Sequence, residues 1–296
     1  MHVNLFILGA MKGGTHAAHT VLDTHPAIAM SRFKEPVHFI DAETLSRVTR
    51  LPKEYQDEAA YMSLFDVTKD TRYLGESSTS YTLVPEVEGV ADRIHSYNPD
   101  ARLIYMVRDP LRRIISHFFH ERRMGQHQRD FKEALAEDPR YVETSDYARQ
   151  IAPYLACFPS ENVRIVVSER FRDNTVDEAA GVFQWLGLDP AAARITATTH
   201  YKMPDLVGMP RNPLVRRLRN TALWKEGKNY VPRPVENLLR RVLYTGNVKP
   251  ADVGVEDIIE DVRNRVAQNA KVFYDLLGGP VPEWRATNEA IARHAR

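Results

Sequence analysis

The sequence predicts an α/β fold: a central, mainly parallel sheet flanked by helices, with a helical region at the C-terminal end. Three observations carry this. Val3 to Leu8 is an apolar run broken only by Asn4, and a glycine-rich turn, Gly9 to Gly14, leads from it into a helical stretch beginning at Thr15. Leu103 to Val107 is a second apolar run; Arg108-Asp109-Pro110 ends it, and Leu111, Ile114, Ile115, Phe118 and Phe119 then recur at helical spacing. Val163 to Val167 is a third, followed by an amphipathic stretch over Thr175 to Leu186.

The intervening elements follow in order. Thr15 to Asp23 reads as the first helix and Ala27 to Met30 as a short strand. Glu35 precedes Pro36, which disfavours the α region for its predecessor, so Glu35 is expected extended at the strand's end, with Pro36 opening a turn or short helix. Residues 42–69 are polar and irregular, a lid or connection with a helix about Asp57 to Phe65. Tyr73 to Glu76 is a short strand, Ser77 to Tyr81 a hydroxyl-rich loop, and Pro85 to Tyr97 a helix. Further helices are expected at Phe131 to Leu135, Ser145 to Phe158 and Val255 to Leu277.

With 296 residues, 43% hydrophobic and 27% charged, the chain can bury a full core; it is expected to form one domain over 1–296, with 213–296 a mostly helical extension. Forty basic and thirty-nine acidic residues leave a net charge of +1, so nothing calls for nucleic acid, and any anion site must be local. Cys157 is the single cysteine; it excludes an intrachain disulfide, fits a reducing compartment and reads as a core residue. The N-terminal apolar run is too short to span a bilayer and lacks a basic leader, so a soluble, cytoplasmic protein with no stable membrane anchor is expected.

Two stretches carry chemistry. A strand, a turn and a helix N-terminus form an anion cradle, and Lys12 adds a full charge. A nucleoside-triphosphate loop places its lysine directly after the second glycine; here Gly9, Gly14 and Thr15 fit that spacing, but Lys12 comes two residues before Gly14. Arg108 sits where a strand end meets a helix N-terminus, suited to a bidentate phosphate contact or to an ion pair with Asp109, and Ser116 lies two turns into that helix. The alternative is a P-loop kinase or nucleotide hydrolase with Asp109 holding a metal. The histidine pairs His16/His19 and His117/His120 lack the H-E-x-x-H pattern, and no metal is expected.

MKGGT, KEPVHF and LIYMVRDPLRRIISHF together resemble the sulfotransferases that use 3′-phosphoadenosine 5′-phosphosulfate, in the heparan-sulfate-type and bacterial branch. The resemblance implies a P-loop-like three-layer fold. It implies that Lys12, Gly13, Gly14, Thr15, His16 and Ala17 bind the 5′-phosphosulfate and that Arg108 and Ser116 bind the 3′-phosphate. Glu35 becomes the general base, a role His38 could share or replace, and Lys202 and Arg211 become candidates in a late loop that folds over the nucleotide. The acceptor would be a small molecule, glycan or lipid. Three departures stand out: His16 replaces a hydroxyl residue, KEPVHF carries one extra residue between glutamate and histidine, and Ser77 stands where glycosaminoglycan-modifying members often have lysine.

Overall fold

The computed structural model describes residues 1–48, 53–124, 129–195, 207–210, 244–248 and 250–294. Five parallel strands form the central sheet in the order β2-β3-β1-β4-β5: β1 Leu5–Gly9, β2 Ile28–Met30, β3 Tyr73–Ser77, β4 Arg102–Val107 and β5 Val163–Val167. The two-residue periodicity of a strand sorts the apolar runs between two faces. Leu5, Ile7, Ile104, Met106 and Val166 pack against helices α1 (Thr15–Leu22) and α10 (Thr175–Trp185). Phe6, Leu8, Leu103, Tyr105 and Val107 face the opposite layer, which includes α4 (Val90–Tyr97) and α8 (Tyr147–Cys157). The result is three layers, helix on sheet on helix.

Helix α5, Pro110–Met124, runs on from β4 and buries Leu111, Ile114, Phe118 and Phe119 against the C-terminal helices α11 (Glu260–Leu277) and α12 (Arg285–His294). Phe273, Tyr274 and Trp284 also close over the sheet beside α8, so the C-terminal helices complete the core. The region beyond 213 is not wholly helical: a strand, β7 (Tyr244–Val248), pairs antiparallel with β6 (Val207–Pro210), which lies within the segment expected to be a loop. Short apolar stretches without a clear period do not separate strand from helix.

Other boundaries shift for local reasons. The helix expected from Pro85 starts only at Val90, after Gly89 takes a left-handed φ of 70°, and Thr79–Thr82 forms a 3₁₀ turn. The final long helix starts at Glu260 rather than Val255, because Val255–Asp257 forms its own 3₁₀ turn. Cys157 lies at the edge of the core, partly buried, with its Sγ 3.5 Å from Asp92 Oδ1. Among the described residues, no helix is long and apolar enough to cross a membrane.

Candidate active site

The carboxyl ends of β1, β3 and β4 meet at one edge of the sheet, and the turn after β1 lies there. Ala10 N–H donates to the Met106 carbonyl at 2.6 Å, and Gly13 N–H donates to the Ala10 carbonyl at 2.8 Å, which pins the turn onto β4. A side chain at Gly13 would sit 2.5 Å from the Met106 carbonyl oxygen, so the backbone approaches there only because the residue is glycine. Gly14 is the left-handed N-cap of α1, and no side chain caps the first turn; the helix opens onto the cradle with amide groups free of a capping side chain.

The cradle is lined with cations. The Lys12 ammonium is held down at about 8, first by burial and then by the charges of Arg123, Arg108, Arg113 and Lys34. Lys34 was not expected here. It is half-buried and donates from Nζ to Thr15 Oγ1 at 3.1 Å, across the start of α1. Arg113, fully buried on α5, donates to Ser145 Oγ and the Tyr141 carbonyl at 2.7 Å each and reaches the Met11 carbonyl at 3.5 Å, tying the turn to α5. His120 is pushed down to about 3 by burial, Lys12 and Arg123, so it adds no charge of its own near neutral pH. His16 is exposed at the helix start. Gathering so many cations at one point is costly without an anion, and it is the electrostatic signature of an anion site.

Glu35 follows Lys34 at the carboxyl end of β3. Its N–H donates to the Ser77 carbonyl at 2.9 Å at the end of β3, and its two carboxylate oxygens accept from Thr79 N–H at 2.9 Å and Thr79 Oγ1 at 2.8 Å. The backbone is not extended as expected from Pro36: Glu35 has φ 61° and Val37 φ 51°. Contacts from the 77–81 segment outweigh the local preference. The extra residue of KEPVHF, Val37, is fully buried, and His38 contacts the 55–61 segment. Its Nδ1 lies 2.8 Å from the Tyr55 carbonyl, its Nε2 3.2 Å from Glu58 Oε2, and its ring stacks on Tyr61 at 4.1 Å. Both ring nitrogens of His38 are thus engaged, by Tyr55 and Glu58.

A second cationic site opens on α5. Arg108 and Ser116 line one cavity of about 470 Å³ together with Arg112, Arg285, Glu256 and Glu289. Burial holds the Arg108 guanidinium below its ordinary range, opposed by Glu169. Asp109 does not pair with Arg108 and is not placed to hold a metal. Its Oδ1 accepts from Leu111 N–H at 3.1 Å, Arg112 N–H at 3.4 Å and Thr287 Oγ1 at 2.8 Å, and its Oδ2 accepts from Ala286 and Thr287 N–H at 3.1 and 3.3 Å. It caps α5 and α12 together, and the kinase reading loses its metal-holding residue to that role.

Thr79, Lys34, Arg112, Arg285 and the buried Glu76 are the site residues that sequence reasoning missed. The hydroxyl-rich SSTSY segment carried the signal for Thr79, and the K-E pair that for Lys34. Glu76 is pushed up to about 7 by burial, against the hydroxyls of Tyr81, Ser78 and Tyr61. Ser77 Oγ, in the position where lysine was noted as common, lies 3.1 Å from His19 Nδ1. Lys202 and Arg211 lie outside the described residues.

The parallel sheet, with a glycine cradle after β1 and an arginine-lined cavity after β4, defines a P-loop-like α/β protein with two cation-lined sites. The chain belongs to the sulfotransferase family, whose domain model matches residues 3–203. It is 28% identical over 196 residues to mouse heparan sulfate glucosamine 3-O-sulfotransferase 5, covering 62% of this chain and 53% of that one. It is 29% identical over 214 residues to human heparan sulfate glucosamine 3-O-sulfotransferase 6, covering 69% and 56%. The chain thus spans about half the length of these curated relatives. The crystal structure of a sulfotransferase from Alicyclobacillus acidocaldarius superposes with a TM-score of 0.57 at 27% identity, covering 76% of this chain and 92% of that one.

Proposed function

We propose that this protein transfers a sulfuryl group from 3′-phosphoadenosine 5′-phosphosulfate to a hydroxyl of a small-molecule, glycan or lipid acceptor, with Glu35 as general base. The carrying observation is the pairing, at one sheet edge, of a carboxylate held through both oxygens by Thr79 with the cation-lined cradle of Lys12 and Lys34.

The donor supplies the sulfuryl group on its 5′-phosphate, and the S–O bond to that phosphate breaks with its electron pair left on the phosphate. The first-turn amides of α1, with Lys12, would hold the phosphosulfate and neutralise the charge that grows on the leaving phosphate. Arg108 and Ser116 would hold the 3′-phosphate, with Arg112 and Arg285 from the same cavity. Glu35, fixed by Thr79, would orient the acceptor hydroxyl and take its proton as the oxygen attacks. The relatives named for heparan sulfate support a glycan acceptor; Ser77 in place of lysine weighs against a sulfated one.

Incubation with sulfur-labelled donor and an extract of the native host, followed by identification of the labelled product, tests the reading. Transfer that Glu35→Gln lowers by about a hundredfold or more supports it; undiminished transfer by that variant removes Glu35 from its role.

A further inference from the structure

The turn that presents Glu35 is strained. Val37 is β-branched and adopts φ 51°, two residues after Glu35 at φ 61°. Such conformations are unfavourable for residues other than glycine and persist only where the surroundings over-determine them.

Two backbone amides of this turn are tied to hydroxyls of the 77–81 segment. Val37 N–H donates to Ser78 Oγ at 3.2 Å, and Phe39 N–H donates to Tyr81 Oη at 3.3 Å. Both hydroxyls in turn donate to one carboxylate. Ser78 Oγ reaches Glu76 Oε2 at 2.7 Å, and Tyr81 Oη reaches Glu76 Oε1 at 2.6 Å, where Tyr61 Oη also donates at 3.2 Å. Glu76 is 0% exposed. In its ionised form Glu76 only accepts, so the hydroxyl protons then point at it and their lone pairs are left facing the two amides. Two relays of the same polarity therefore converge on one buried group.

We propose that Glu76 is a positioning residue for Glu35: through Ser78 and Tyr81 it clamps the 35–39 turn onto the 77–81 segment, and so keeps both Glu35 oxygens on Thr79. This rests on the reading of Glu35 as the base. Replacement of Glu76 by glutamine substitutes a donor for one acceptor and reverses a relay; replacement of Ser78 by alanine deletes one.

The test is a double-mutant cycle on sulfate release from sulfur-labelled donor, with water as the acceptor, alongside calorimetric affinity for adenosine 3′,5′-bisphosphate. Glu76→Gln and Ser78→Ala are each measured in the native and the Glu35→Gln backgrounds. If the hub acts through Glu35, each lowers the rate about tenfold in the native background and less than about twofold in Glu35→Gln, while bisphosphate affinity stays within about twofold. An equal factor in both backgrounds, or an unchanged native rate, overturns the proposal. Failure of the underlying reading shows separately, as a Glu35→Gln protein that by itself releases sulfate at the native rate.

Discussion

Thr79 holds both carboxylate oxygens of Glu35, one through its backbone N–H at 2.9 Å and one through its hydroxyl at 2.8 Å. Substitution can remove the second bond and leave the first. Thr79→Val should lower the transfer rate by roughly ten- to a hundredfold, the worth of one hydrogen bond to a charged group, while Thr79→Ser stays near native. Steady-state rates with labelled donor, compared with bisphosphate affinity, check this; a parallel loss of affinity would indicate damage to the cradle instead.

Lys12 gives the site a pH dependence. Burial and the surrounding Arg123, Arg108, Arg113 and Lys34 lower its ammonium to about 8, so the free protein begins to lose that charge in mildly alkaline solution. An anionic ligand binds the protonated form. Affinity for adenosine 3′,5′-bisphosphate should be level between about pH 7 and 8, above the second ionisation of its phosphates, and fall at higher pH by up to about tenfold per pH unit. Lys12→Arg keeps its charge and should flatten that limb in calorimetric titrations; a native protein with no alkaline fall would contradict the assignment.

The cavity of Arg108 and Ser116 makes a prediction about which phosphate is read. Native protein should prefer adenosine 3′,5′-bisphosphate over adenosine 5′-monophosphate, and Arg108→Ala should remove most of that preference, about ten- to a hundredfold. Arg285→Ala should remove a smaller part, because its side chain is exposed at the rim.

Asp109 predicts stability rather than chemistry. It satisfies amides at the starts of both α5 and α12 while only 1% exposed, so Asp109→Ala leaves several buried donors without partners. A loss of roughly 2–4 kcal/mol in denaturant unfolding is expected, with Asp109→Asn losing less. A fully stable alanine variant would contradict the capping role.

Glu76 gives stability itself a pH dependence. Its folded value, about 7, lies above its ordinary one, so between about pH 4.5 and 7 the folded state binds more protons than the unfolded state and stability falls as pH rises. Glu76→Gln lacks this proton, and its stability relative to the native protein should rise across that interval in thermal unfolding.

The parallel sheet was legible because β1, β4 and β5 are continuous apolar runs, each followed by a helical pattern. The glycine turn and Arg108 were legible because their spacing relative to strand ends is set by backbone geometry. What escaped depended on contacts between distant segments. Pro36 argued for an extended Glu35, but Ser77 and Thr79, more than forty residues on, impose the left-handed turn. Lys34 was legible as a charge, and only the approach of the 31–41 segment to α1 makes it part of the cradle. Asp109 beside Arg108 suggested an ion pair or a metal ligand, whereas its partners are the first amides of its own helix and, from a helix far downstream, Ala286 and Thr287, the latter 178 residues away.

The most direct measurement of the central claim is calorimetric titration of the protein with adenosine 3′,5′-bisphosphate and, separately, with ATP and magnesium. Micromolar binding of the bisphosphate is expected, abolished by combining Lys12→Ala with Arg108→Ala, with much weaker binding of ATP. Tight binding of ATP with none of the bisphosphate would contradict it.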